Sequence, residues 1–187
     1  MKKNLFISAE TLLIDSFKLG KQIYDSDFRP DFIVGLWRGG TPVGIAVQEY
    51  LAYKGIKTDH IAIRTSAYEG IGKMSRKIKV HGLDYIIKNA NAKDNLLFVD
   101  DVYETGLSME AALIQLMRKA RKNTPQDIRI AVAYYKPARN KTERKPDFYI
   151  HETNQWLVFP HELMNLTLEE IAEGKGKEIT DLLECRS

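Results

Sequence analysis

Val99-Asp100-Asp101-Val102-Tyr103-Glu104-Thr105-Gly106-Leu107-Ser108 is the stretch that decides how this chain folds. It continues the apolar run Leu96-Leu97-Phe98-Val99, which is short, bounded by polar residues and suited to a strand buried on both faces. Asp100, Asp101 and Glu104 then put three carboxylates within five positions. They would repel one another unless something cationic or rich in hydroxyls sat between them. Thr105-Gly106-Leu107-Ser108 opens a helix, and Gly106 lets the backbone turn tightly into it. The free N–H groups of the helix start, the positive end of its dipole and the Thr105 and Ser108 hydroxyls together make an anion cradle. Acids and cradle in one loop suit a ligand that carries both a phosphate and a sugar diol. On spacing alone, a capped helix following a strand with solvated acids explains the pattern about equally well.

Working outward, strand and helix alternate. Ser8 is placed to cap a helix carrying Leu13, Phe17, Gly20 and Tyr24 at helical spacing, and Arg29-Pro30 ends it. Asp31 to Trp37 reads as a buried strand; Arg38-Gly39-Gly40 breaks it and Thr41-Pro42 restarts a helix that Gly55 closes. His60 to Arg64 is a second strand. Thr65 to Val80, with Gly70, Gly72 and the basic residues Lys73, Arg76, Lys77 and Lys79, reads as a mobile loop. A short amphipathic piece around Leu83 and Ile86 precedes the Leu96 strand. A helix over about Leu107 to Lys122, strands at Ile128 to Tyr135, Phe148 to Ile150 and Trp156 to Phe159, and a C-terminal helical segment broken by Gly174 and Gly176 complete the chain. The alternation predicts an α/β fold with a parallel sheet covered by helices on both faces. In such sheets ligands bind beyond the carboxyl ends of the strands. The places to look are therefore Arg38-Gly39-Gly40, the segment after Thr65, Asp100 to Ser108 and Lys136-Pro137.

Composition sets the outer bounds. At 187 residues, 44% hydrophobic and 28% charged, the chain suits one globular domain with its own core, not a disordered or low-complexity protein. Its net charge of +3 permits an anionic ligand without demanding nucleic acid, and no helix-turn-helix or basic stripe is apparent. No apolar run approaches the roughly 20 residues of a membrane span. Ser8 and Glu10 interrupt the N-terminal apolar stretch, so it does not read as a signal peptide. The single Cys185 cannot form an internal disulfide, which fits a soluble cytoplasmic protein. His81 and His161 lack partners at metal-ligand spacing and do not read as zinc ligands.

Val99 to Ser108 resembles the phosphoribosyl-diphosphate (PRPP) signature of the type I phosphoribosyltransferases: apolar residues, two acids, two variable residues, then acid-Thr-Gly-x-Ser/Thr. Three further segments agree in order. Leu36-Trp37-Arg38-Gly39-Gly40 resembles the pyrophosphate loop of that family, and Ser75 to Val80 the basic end of its lid. Tyr135-Lys136-Pro137-Ala138 with Trp156 to Glu162 resembles the purine-binding strand and hood of its xanthine–guanine and hypoxanthine–guanine members. The resemblance implies an α/β fold with a central, mostly parallel five-stranded sheet flanked by helices, in a single domain over 1–187 with a core at about 28–140 and a small C-terminal hood at about 141–187 joined by the N-terminal helix.

The resemblance also implies roles. Asp100 and Asp101 would meet the ribose hydroxyls, with Asp101 also touching a Mg²⁺ shared with pyrophosphate. Thr105, Gly106, Leu107 and Ser108 would hold the 5-phosphate. Arg38 and Gly39 would donate to pyrophosphate, and Arg76 would close over it. Lys136 would donate to a purine 6-oxygen, Trp156 would stack on the ring, the Leu157 backbone would meet the base edge, and Glu162 would sit near a second Mg²⁺. Glu104 stands where the family usually has an Asp that acts as general base. Alone, Lys136 reads as a surface lysine and Trp156 as a core residue. The basic run Arg139 to Lys145 reads as a solvated loop. The implied activity joins a 6-oxopurine to PRPP in purine salvage, by a homodimer or homotetramer with no nucleic-acid or membrane partner. Two alternatives share the cradle: transfer to another nucleobase-like acceptor, and a non-catalytic PRPP or nucleotide sensor.

Overall fold

The computed structural model of the chain describes residues 4–69 and 76–184, with side chains described for 4–66 and 78–184. Two units form: Leu13–Asn154, and Met1–Leu12 together with Gln155–Ser187. The strands are β1 (Asn4–Phe6), β2 (Phe32–Trp37), β3 (Asp59–Glu69), β4 (Arg76–His81), β5 (Asn95–Tyr103), β6 (Asp127–Tyr135), β7 (Phe148–Glu152) and β8 (Trp156–Val158). The helices are α1 (Ala9–Asp25), α2 (Gly40–Tyr53), α3 (Asp84–Asn89), α4 (Leu107–Ala120), α5 (Leu168–Lys175) and α6 (Lys177–Glu184).

In the larger unit the apolar runs become a sheet of order β4-β3-β2-β5-β6-β7. Five strands, β3, β2, β5, β6 and β7, are mutually parallel, as the resemblance implies, and β4 adds an antiparallel edge. Ile33 to Leu36, Leu96 to Val99 and Ile130 to Tyr135 are buried without alternation, because helices cover both faces. On one face Leu83 and Ile86 of the α3 region and Met109, Ala112, Leu113 and Leu116 of α4 pack with Val34, Leu36, Phe98, Ile130 and Val132. On the other, α2 packs on β2, β5 and β6, burying Val43, Ala46, Val47 and Leu51. Each such Val, Leu, Ile, Met or Phe side chain removed from water stabilises the fold by about 1.5–3 kcal/mol before entropy is subtracted.

The connections β2-α2-β3 and β5-α4-β6 run to opposite sides, so strand order reverses between β2 and β5. Adjacent strands whose crossovers diverge leave a crevice at their carboxyl ends, the usual ligand position in open α/β sheets. Gly35 pairs with Val99 at that point, so Arg38-Gly39-Gly40 and Asp100-Asp101 emerge side by side.

In the smaller unit β1 pairs in parallel with β8, with Leu5 opposite Leu157, and Ile7 N–H donates to Val158 O at 2.9 Å. Ser8 caps α1 as expected, its Oγ accepting from Thr11 N–H at 3.0 Å.

Three expectations are corrected. Thr65 to Val80 is not one loop: Thr65 to Glu69 prolong β3 and Arg76 to Val80 return antiparallel to it, Thr65 opposite Val80. Cross-strand hydrogen bonding supplied by an edge strand outweighs the polar composition of those two stretches, and Gly70, Gly72 and Lys73 lie outside the described residues. The C-terminal segment breaks at Gly176, at φ +93°, but Gly174 stays inside α5, where a side chain would collide with the Phe6 ring. Trp156 to Val158 joins β1 and not the main sheet.

Candidate active site

β5 runs on past Val99 to Tyr103, so both aspartates sit within a strand and not on a loop. Asp101 is buried, and its Oδ1 accepts from Val102 N–H at 2.7 Å. Asp100 Oδ1 accepts from Asp101 N–H at 3.0 Å. Burial, and after it the neighbouring Asp101 charge, raises the Asp100 carboxyl well above the usual carboxylate range, against backbone hydrogen bonds from Asp101 and Gly40 that favour its ionised form. Strand β5 therefore holds an electrostatically costly pair at the switch point.

The glycines of the β2–α2 turn make that pair possible. A Cβ on Gly39 would overlap the Asp101 carboxylate, and one on Gly40 would collide with Val99 O and lie 2.8 Å from Asp100 Cα. Gly39 takes φ −66° and ψ −32°, ordinary for any residue, so glycine is needed here for the close approach and not for backbone freedom. Arg38 is exposed at the mouth of this turn, and the Trp37–Arg38 peptide is cis.

Gly106, at φ +75°, turns the chain from Thr105 into α4, and its Cβ would lie 2.6 Å from Thr142 Oγ1 and 2.7 Å from the Tyr103 hydroxyl. A cavity of about 120 Å³ follows, lined by Asp100, Glu104, Thr105, Gly106 and Ser108 among others. Leu107 is exposed as the first residue of α4. The unbonded amides of that first turn and the two hydroxyls suit an anion there.

Beside the cavity, the segment following β6 is fastened to the end of β5. Lys136 N–H donates to Tyr103 O at 2.9 Å and Lys141 N–H to Thr105 O at 3.0 Å. The Tyr103 hydroxyl lies 3.0 Å from both Thr142 Oγ1 and Arg144 O, and burial raises that phenol above its ordinary value. Lys136 is buried at 3% exposure, its Nζ 3.5 Å from Glu104 Oε2. Arg139 Nη1 stands 2.6 Å from Glu104 Oε1.

Arg139 is the residue that reading of the sequence missed. Its run is not a merely solvated loop: Arg139 pairs with Glu104, and Arg144 donates to Ile128 O and pairs with Asp147 at 3.5 Å. The signal was the Lys136-Pro137-Ala138-Arg139 spacing. Pro137 to Arg139 form a 3₁₀ turn, in which side chains three apart fall on one side.

The structure thus brings Gly39, Asp100 and Asp101 together, and Glu104 with Lys136. Trp156, Leu157 and Glu162 belong to the smaller unit. There Trp156 is half exposed, Leu157 is buried in β8, and Glu162 Oε2 accepts from Phe159 N–H at 3.0 Å. Lys175 Nζ donates to Phe159 O at 2.7 Å, and burial lowers its proton affinity, opposed by Glu162. The Arg76 side chain lies outside the described residues. Among the described residues no cluster of three or more His, Cys, Asp or Glu could hold a metal. None of their helices is long and apolar enough to cross a membrane.

The phosphoribosyl transferase domain matches residues 8–164, and the chain belongs to that family. It is a phosphoribosyltransferase, an enzyme of the type I fold. Solved structures share the fold at low identity. A purine phosphoribosyltransferase from Pyrococcus horikoshii has a TM-score of 0.69 at 23% identity, covering 88% of this chain and 97% of its own. A hypothetical protein from Neisseria gonorrhoeae with bound ppGpp gives 0.73 at 17%, covering 98% and 99%. A xanthine-guanine-hypoxanthine phosphoribosyltransferase from Helicobacter pylori gives 0.67 at 20%, covering 98% and 100%. No curated protein matches the sequence.

Proposed function

We propose that the enzyme transfers the 5-phosphoribosyl group from PRPP to a 6-oxopurine (xanthine, guanine or hypoxanthine), releasing pyrophosphate in purine salvage. The observation that carries the choice of base is Lys136, buried 3.5 Å from Glu104 beside the anion cradle. An ammonium can only donate, so it suits a 6-oxygen and not a 6-amino group. A carboxylate next to it can accept the proton of a neighbouring ring nitrogen.

In this reading the amides opening α4, with Thr105 and Ser108, bind the 5-phosphate, and Asp100 and Asp101 orient the ribose through its hydroxyls. Arg38, the Gly39 amide and Arg76 receive the pyrophosphate. As the base nitrogen bonds to the anomeric carbon and the bond to pyrophosphate breaks, Glu104 takes the N–H proton. The resemblance assigns ring stacking to Trp156 and base-edge contacts to the Leu157 backbone. Phosphoribosyltransferases generally use Mg²⁺. Asp101 suits it, since Mg²⁺ is held through one or two carboxylates plus the oxygens of the substrate, and Glu162 is the second candidate. When bound it supplies charge to the departing pyrophosphate. The chain would act in the cytoplasm as a homodimer or homotetramer.

The test is pyrophosphate release from PRPP and Mg²⁺ with xanthine, guanine, hypoxanthine, adenine or uracil. Release with a 6-oxopurine is the expected result. Silence with all five, alongside measurable PRPP or nucleotide binding, would move the assignment to another acceptor or to a sensor. Lys136→Ala should raise KM for the base far more than for PRPP, and equal effects on both would count against the role of Lys136.

A further inference from the structure

We infer that Arg139 is the positioning residue for Glu104: its guanidinium fixes one carboxylate oxygen so that the other faces the nucleobase beside Lys136. The inference rests on the reading of Glu104 as the base. Arg139 Nη1 is 2.6 Å from Glu104 Oε1, whereas Lys136 Nζ is 3.5 Å from Oε2. The first is hydrogen-bonding distance for a charged pair; the second is too long for one. The two oxygens are therefore unequal, one anchored and one directed at the donor that would read the base.

The backbone explains why Arg139 reaches. Lys136 N–H is tied to Tyr103 O immediately before Glu104, and Lys141 N–H to Thr105 O immediately after it. Between those ties Pro137 opens a single 3₁₀ turn, closed by Arg139 N–H donating to Lys136 O at 3.0 Å. That turn delivers both cations to one carboxylate. Glutamate has one more rotatable bond than aspartate, so more rotamer freedom is lost when it is ordered. An anchor on Oε1 meets that cost before substrate arrives. Stability is a poor explanation for the pair, because Arg139 is 46% exposed and solvent-screened ion pairs contribute little to folding.

The test uses the full chain and a 6-oxopurine that it turns over, comparing wild type, Arg139→Gln, Arg139→Lys, Glu104→Gln and the Arg139→Gln/Glu104→Gln double variant. Arg139→Gln should lower kcat by about tenfold or more, a part of the roughly 10²–10⁴-fold that a general base supplies, with KM for PRPP little changed. Arg139→Lys should restore part of the loss. In the Glu104→Gln background Arg139→Gln should change kcat no further. If its factor multiplies with that of Glu104→Gln, or falls on KM for PRPP, the inference is overturned while the base reading stands. If Glu104→Gln is as active as wild type, the base reading fails and takes the inference with it. A crystal structure of Arg139→Gln adds a readout independent of turnover: the Glu104 carboxylate should leave its place by Lys136, and its staying there would refute the role of Arg139.

Discussion

Gly39→Ala isolates the contact on which the crevice depends. The backbone at Gly39 accommodates alanine without strain, so any effect comes from the added methyl. That methyl overlaps Asp101 Oδ2 outright, and it sits 2.6 Å from Oδ1, which must retreat by ~0.8 Å to reach the 3.4 Å of ordinary contact. Asp101 is 7% exposed, and its Oδ1 is held by Val102 N–H at 2.7 Å. Moving the carboxylate gives up a charged hydrogen bond worth about 1.5–3 kcal/mol. We expect a loss of about 2 kcal/mol, read as a fall in Tm of about 4–8 °C. Because the displaced group is the one assigned to ribose and metal, KM for PRPP should rise at least tenfold, equivalent to about 1.4 kcal/mol, with KM for the base little affected. Gly44→Ala is the internal control. Its Cβ finds nothing nearer than 3.9 Å inside α2, so it should stabilise the protein by about 0.5–1 kcal/mol and leave PRPP kinetics alone. Thermal melting and pyrophosphate-release kinetics on both variants decide the matter. If Gly39→Ala kept wild-type Tm and KM for PRPP, the Gly39–Asp101 approach would not organise the site.

Asp100→Asn should raise Tm in metal-free buffer without PRPP by about 2–4 °C, the shift from ~1 kcal/mol in a chain of this size. It removes a charge that burial and Asp101 oppose while keeping an acceptor for the Asp101 and Gly40 amides. PRPP binding should weaken in the same variant, and an unchanged or lower Tm would contradict the electrostatic account. Tyr134→Phe reports on alkaline stability. Burial, with Asp15 adding to it, raises the Tyr134 phenol to about 12. A raised folded value makes its contribution full below pH about 10 and lost as pH climbs towards 12. Denaturant melts over that window should therefore show wild type losing up to about 2–3 kcal/mol more than Tyr134→Phe. Parallel curves for the two proteins would place the phenol in a milder environment.

Local sequence determined the strands and most helices, because their signals are short-range. Leu96 to Val99 and Ile128 to Tyr135 are apolar runs that only a doubly covered strand buries, and Ser8 and Gly55 mark helix ends through their own hydrogen bonding and φ. The cradle from Asp100 to Ser108 was legible for the same reason, since acids, glycine and hydroxyls lie within ten consecutive residues. Thr65 to Glu69 and Arg76 to Val80 misled, because their composition is that of a loop while their antiparallel pairing makes them the edge of the sheet. Tertiary structure alone decided which distant residues meet. That Gly39 must lack a side chain is set by Asp101, sixty-two positions along, through the β2–β5 register. That Arg139 is no mere surface charge is set by Glu104, through two backbone hydrogen bonds between β5 and the segment after β6. Hydrophobic period and turn chemistry are written residue by residue, but a close approach or an ion pair between segments exists only once the sheet has fixed their register.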